Sequence, residues 1–232
     1  AETGCQSRNL VLLAADQLKQ MSGIQAGARI LLEKNLPVAS GIGGGSADAA
    51  KTIELLCDLW DLKLSDAKLQ QVAGALGADV PVCLKGQTAL MSGIGDHVEP
   101  VAGLPGFSIL LINPGIAVST AQVFRTMTLP DEKLTVPDFS GMDQVTFFEA
   151  LRQCRNDMQP AALALAPEIS TVLKILEAEE GCQLSRMSGS GATCFGLFRT
   201  LEKAQQAQRR IREQYPHWWM LASCIEGETE KV

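Results

Sequence analysis

"PVASGIGGGSADAAKTIELL", residues 37–56, places four glycines within positions 41–45 and then turns at once into alanine-rich, helix-forming sequence. Glycine is costly to order and alanine is not, so the change marks a bare loop running into a helix. A phosphate-binding P-loop needs a lysine directly after its glycines, and none follows here. A dinucleotide fingerprint is nearly matched by Gly41, Gly43 and Ser46. The helix that follows, however, is succeeded by a second helix near 65–76 rather than by the parallel strand of a βαβ unit. Two readings remain. Consecutive N–H groups at a helix N-terminus form an anion hole, to which Ser46 adds a hydroxyl able to reach phosphate or magnesium. Alternatively, the glycines serve only a tight packing turn.

Working outward, the 232 residues are 46% apolar and 20% charged, the balance of a globular chain with a full-sized core. The formal charge of −6 argues against nucleic acid as a partner. The basic stretch Arg209, Arg210 and Arg212 reads as the solvated face of a helix. Seven scattered cysteines, without a C-x-x-C pair and with only two histidines, fit neither a zinc site nor a disulfide framework, and suggest reduced thiols in a cytoplasm. No apolar run approaches the ~20 residues of a membrane span, and no signal peptide is visible. A soluble, cytoplasmic chain with no membrane partner is expected.

The apolar spacing predicts a helix on Leu10, Leu13, Ala14, Ala15 and Leu18, stopped at Ser22-Gly23. A strand is expected over 28–36. A helix from Ser46 should bury Ala49, Ile53, Leu56 and Trp60. Another, capped by Ser65, should bury Leu69, Val72, Ala73 and Leu76. Strands are expected at 88–93 and 107–115, the latter apolar on both faces and therefore central. Residues 128–142 read as a surface loop. Helices near 143–153, 167–179 and 200–214 and strands near 184–187, 193–198 and 218–224 complete an α+β pattern. The interruption at 100–106 divides the chain into two lobes, 1–103 and 104–232, with a cleft between them.

Asp79 in "GADVP" admits two roles. It is either the N-cap of a short helix opening with Pro81, or a carboxylate aimed at a substrate hydroxyl. Ser188, Gly189, Ser190 and Gly191 form either a tight turn or a loop allowing close backbone approach. Thr120 and Phe124 open a helix after the central strand, where an aromatic is ordinarily core. Lys85 reads as solvated, and His97 and His217 as surface residues.

The segments "LPVASGIGGGSADAA" (36–50), "LGADVPVCLKGQTALMSGIGD" (76–96) and "SRMSGSGATCFGLF" (185–198), in this order, resemble the motifs of the GHMP kinase superfamily. "INPGIAVSTAQVF" (112–124) and "CRND" (154–157) extend the resemblance along almost the whole chain. It implies the two-lobed GHMP kinase fold, with an ATP-binding lobe at 1–103, a substrate-binding lobe at 104–232, and the cofactors ATP and Mg²⁺. It implies that Lys34, Leu36, Pro37 and Ala39 lie near the ATP. Gly41, Gly43, Gly44, Gly45 and Ser46 would hold its phosphates, with Ser46 also at the metal. Asp79 takes the catalytic place, and Lys85, Thr120, Phe124, Ser188 and Gly189 the substrate site. Phe124 would stack on cytosine, because the branch most resembled phosphorylates the 2-hydroxyl of a cytidine diphosphate derivative of methylerythritol in isoprenoid synthesis. A kinase of homoserine or mevalonate type, or a non-catalytic nucleotide-binding fragment, is the alternative. The superfamily opens with a strand bearing A-K-[IL]-N, whose lysine lies near the transferred phosphate. No such segment is present here, so an N-terminally incomplete ATP lobe and sharply reduced activity are expected.

Overall fold

The computed structural model describes residues 9–38, 40–131 and 135–227. The chain divides into two compact units. One takes the residues up to Lys34 together with Gly43–Val101, and the other takes Asn35–Ile42 together with Ala102 onward. Asn35–Ile42, which a single boundary at 103/104 assigns to the first lobe, therefore groups with the second unit.

The first unit is built on helices α1 (Leu10–Ser22), α2 (Gly44–Leu59), α3 (Asp66–Leu76) and α4 (Val80–Lys85), followed by a hairpin of β1 (Ala89–Ser92) and β2 (His97–Pro100). Asn9 starts α1 by accepting the Val11 N–H at 3.0 Å, and Gly23 in the left-handed region stops it. Its core joins Ala14 and Leu18 to Ala49, Ala50, Ile53 and Leu56 of α2, Val72 and Ala73 of α3, and Val80 of α4. Trp60 packs beside this core while its indole N–H donates to Gly27 O at 3.3 Å.

The second unit carries β3 (Phe107–Asn113), α5 (Thr120–Thr126), α6 (Gln144–Gln153), α7 (Gln159–Leu165), α8 (Glu168–Ala178), β4 (Cys182–Met187), β5 (Cys194–Phe198), α9 (Leu201–Gln214) and β6 (Trp219–Ile225). The four strands form one antiparallel sheet ordered β4-β5-β3-β6. β3 is interior, as its two-faced apolar sequence predicts. Leu110 and Ile112 face a core with Val172, Leu176, Ala204 and Ile211, whereas Phe107 and Ile109 face Phe147 and Phe148 of α6. Residues 128–131 and 135–142 form neither helix nor strand.

The expectation of a strand over 28–36 is wrong. Residues 28–35 are irregular, and Leu31 is 92% exposed. A strand is stabilised by its ladder partner, and among the described residues no strand lies beside this segment. The short elements α4, α7 and β2 escape a reading by periodicity because none fills the window such a reading needs. α2 begins at Gly44 rather than at Ser46. The basic face of α9 is also more engaged than a solvated surface. Arg210 pairs with Glu179, and Arg212 donates to Met220 O at 3.2 Å.

Cys57, Cys83, Cys154, Cys182, Cys194 and Cys224 are free thiols, and burial pushes Cys182 up to about 11 and Cys194 up to about 12. Among the described residues no helix is long and apolar enough to cross a membrane. Leu110 is fully buried at the centre of the sheet, so Leu110→Ala should cost about 2–5 kcal/mol of second-unit stability, read as a shifted urea midpoint.

Candidate active site

In the second unit, the turn between β4 and β5 holds itself together by a Ser188 N–H bond to Thr193 O and a Gly191 N–H bond to Ser188 O, each 2.9 Å. Asn156 fastens it from outside, its Nδ2 donating to Met187 O at 2.9 Å and Gly189 O at 2.8 Å. The start of the glycine loop docks on this turn. Thr193 N–H donates to Ser40 O at 3.3 Å, and Ser188 Oγ donates to Gly41 O at 2.8 Å.

Gly41 has φ +73°, and a Cβ there would lie 2.6 Å from Gly191 O and 2.8 Å from Ser188 O. A Cβ on Gly189 would meet Gly41 O at 3.0 Å. Behind the turn, the buried Asn113 at the end of β3 donates to Thr193 Oγ1 at 2.9 Å and accepts the Gly115 N–H at 2.8 Å. Its polar ends are thereby satisfied, as burial requires. Thr120, at the start of α5, shares a 2.7 Å hydrogen bond with Ser190 Oγ. The core residue of α5 is Val123, whereas Phe124 is 60% exposed, so the packing role ordinarily given to an aromatic does not hold here.

In the first unit, Gly43 is the N-cap of α2 with φ +70°, and a Cβ there would meet nothing within 4 Å. A Cβ on Gly45 would touch only Leu10 Cδ1, at an ordinary 3.6 Å. Packing therefore explains Gly41 but not Gly43 or Gly45. The first N–H groups of a helix lack intrahelical acceptors, and Gly43, as N-cap of α2, has no side chain to satisfy them. Such groups, together with the helix dipole, favour negative charge at a helix N-terminus, which is the property the anion-hole reading of the sequence calls on. Ser46 lies half-buried in this first turn, beside the half-buried Gly44. Lys34 is ion-paired with Asp48 of α2. Leu36 is exposed and Pro37 half-buried in the segment that groups with the second unit, and Ala39 lies outside the described residues.

Asp79 stands at the N-terminus of α4, which is anchored by the buried Val80 against the α2 core. It is exposed, and its side chain makes no capping hydrogen bond, so the capping role does not use its carboxylate. Burial, reinforced by the charge of Asp79, pushes the Cys83 thiol up, the direction that disfavours the thiolate. Lys85 closes α4, its Nζ donating to Val98 O at 3.0 Å. Among the described residues no group of three or more His, Cys, Asp or Glu side chains could hold a metal.

The structure thus brings Gly41, Ser188 and Gly189 into direct contact and reaches Thr120 through Ser190, while Lys34 pairs with Asp48 of α2 and Asp79 precedes α4, which packs on α2. The residues the sequence did not single out are Asn113, Asn156 and Thr193. The signal for Asn113 was a polar residue closing an otherwise apolar strand.

Two family models match, the GHMP kinases N terminal domain over residues 9–87 and the GHMP kinases C terminal domain over residues 137–217. The chain belongs to the GHMP kinase family, a class of ATP-dependent phosphotransferases. Among its relatives is a 4-diphosphocytidyl-2-C-methyl-D-erythritol kinase from Parvibaculum lavamentivorans, 47% identical over 94% of this chain and 77% of the relative. Another of that name, from Cereibacter sphaeroides, is 48% identical over the same shares. A crystal structure of 4-(cytidine 5'-diphospho)-2C-methyl-D-erythritol kinase matches with TM-score 0.75 and 33% identity, covering 95% of this chain and 80% of that one. A homoserine kinase from Cytophaga hutchinsonii matches with TM-score 0.76 over 98% of this chain and 79% of that one, at only 19% identity, and shows the fold alone.

Because Gly41 faces carbonyl oxygens and Gly43 faces open space, the two glycines should respond differently to alanine. Gly43→Ala should cost about 1–2 kcal/mol, the strain of a left-handed residue. Gly41→Ala adds a backbone clash to that strain and should lower the thermal midpoint further, checked by melting both variants side by side.

Proposed function

We propose that the chain transfers the γ-phosphoryl group of ATP to the 2-hydroxyl of 4-diphosphocytidyl-2-C-methyl-D-erythritol, a step in isoprenoid precursor synthesis. The observation that carries this reading is the 43–48% identity, along nearly the whole chain, to relatives bearing that kinase's name. Phosphoryl transfer needs little covalent help from a protein, so positioning and charge compensation supply most of the catalysis.

In this reading the N–H groups from Gly41 to Ser46, with Gly43, Gly44 and Gly45 bare of side chains, bind the triphosphate. Lys34, Leu36, Pro37 and Ala39 flank the nucleotide. Asp79 accepts a hydrogen bond from the acceptor hydroxyl and takes its proton as the new P–O bond forms; its exposed, non-capping carboxylate supports that role. Mg²⁺ commonly keeps several waters and takes few protein ligands beside phosphate oxygens. The single hydroxyl of Ser46, with no acidic cluster among the described residues, fits such a site, where the ion would offset phosphate charge. Phe124 supplies an exposed ring for cytosine, Thr120, Ser188 and Gly189 shape the substrate side, and Lys85 borders it from α4. The net charge of −6 and the scattered free thiols fit a small-molecule enzyme of a reducing cytoplasm rather than a nucleic-acid binder.

A coupled ADP-release assay with ATP and the cytidine substrate tests this reading. Asp79→Asn should lower kcat by about 10²–10⁴, the usual weight of a positioned acid–base group, with the thermal midpoint unchanged. Phe124→Ala should raise KM for the cytidine substrate by up to about tenfold, the value of one aromatic stack, and leave KM for ATP in place. Equal turnover of homoserine or mevalonate would overturn the substrate assignment.

A further inference from the structure

Outside these residues the second unit holds a cavity of about 510 Å³. Its walls come from Thr128–Pro130 after α5, the Cys154–Pro160 segment between α6 and α7, and Ser185 and Arg186 of the edge strand β4. That volume lies within the range of small-molecule sites, roughly 300–1,000 Å³, and far exceeds what an inorganic ion fills.

Arg186 is the unusual member of the lining. It is half-buried, its Nη2 donates to Leu151 O at 2.9 Å, and among the described residues no carboxylate pairs with it. Burial holds its pKa below the ordinary arginine value. A half-buried cation without a counter-charge is costly, and such cost is characteristically relieved by an anion.

The other polar groups are mostly committed. Asp157 is engaged by Arg155, Asn156 Nδ2 holds the Met187–Gly189 turn, Gln159 Oε1 accepts the Met187 N–H, and Ser185 Oγ donates to Leu173 O. The formal charge of the lining is +1, from Arg155 and Arg186 against Asp157, in a chain of −6. Leu129, Pro130 and Pro160 add apolar wall, and Leu129 is 72% exposed.

We infer that this cavity binds a small phosphomonoester, with Arg186 forking onto the phosphoryl oxygens and Leu129, Pro130 and Pro160 receiving the organic body. A guanidinium presents paired donors matched to such oxygens. A phosphoryl group of charge about −1.5 to −2 answers the paired donors of Arg186 better than a single carboxylate does. The cavity shares no residue with the nucleotide loop, so the inference is independent of the kinase reading. Asn156 nevertheless lines the cavity and grips the turn on which Gly41 docks, so a bound ligand adjoins the support of that loop.

The test is a titration of the full ¹⁵N-labelled chain, followed by amide shifts with ATP held at saturation. Phenyl phosphate should give saturable shifts at residues 128–129, 154–157 and 185–186, with inorganic phosphate and benzoate both weaker. Arg186→Gln should weaken phenyl phosphate by about tenfold or more, as loss of a charge-assisted bidentate contact requires. Arg152→Gln, outside the lining, should change nothing. Asp157→Asn removes the competing negative charge and should tighten binding, which keeps the proposal testable should Arg186→Gln fail to fold. Absence of saturable shifts, shifts confined to residues 41–46, unaltered affinity in a folded Arg186→Gln, or weaker binding by Asp157→Asn would each overturn the site. Benzoate binding as tightly as phenyl phosphate would overturn the ligand class.

Discussion

The back of Gly41 rests on two carbonyl oxygens, and the second unit's share of the candidate site is arranged around that contact. The chain leaves no room for a side chain there because Ser188 and Gly191 present backbone at less than 3 Å from where a Cβ would stand. The same Gly41 offers its own carbonyl to Ser188 Oγ, so the approach is hydrogen-bonded as well as close. Asn113 and Thr193 support the turn from behind through a buried bond that satisfies polar groups removed from water, and Asn156 fastens it from outside. A loop with no side chains of its own is shaped by neighbours that have them.

The glycines do different work although the sequence writes them alike. At 41 the requirement is steric and comes from the protein itself. At 43 a left-handed backbone is required while the space above is open. Gly45 is under neither constraint and meets only an ordinary contact with Leu10. Openness where the structure does not demand it is what separates a cradle from a packing turn. The near-equal likeness of the fold to homoserine kinase and to the cytidine-linked kinase shows that the scaffold is shared across acceptors. A scaffold so shared leaves discrimination to individual side chains rather than to the fold.

Much of this was legible in the residues. The periodicity of α1, α2 and α3 marked their buried faces, and the two-sided apolar run of β3 marked the interior strand. Motif order identified the family. The failures have a common physical origin. Residues 28–36 have strand-like composition, but composition cannot supply a pairing partner, and Leu31 remains in solvent. Asp79 was ambiguous because a capping carboxylate and a catalytic one occupy the same sequence position; only side-chain geometry separates them. Asn156 could not be weighted from "CRND" alone, since its two acceptors lie more than thirty residues away at Met187 and Gly189.

The hydrogen bond from Ser188 to Gly41 joins residues 147 positions apart. Contacts so distant along the chain form only after a large loop has closed, at an entropic cost that local helices do not meet. During synthesis α1 and α2 can form early, but the loop before α2 has no partner until the strands near Cys182–Phe198 have been made. The loop at Gly41 therefore acquires its shape only after residues 147 positions further along the chain have been made and folded.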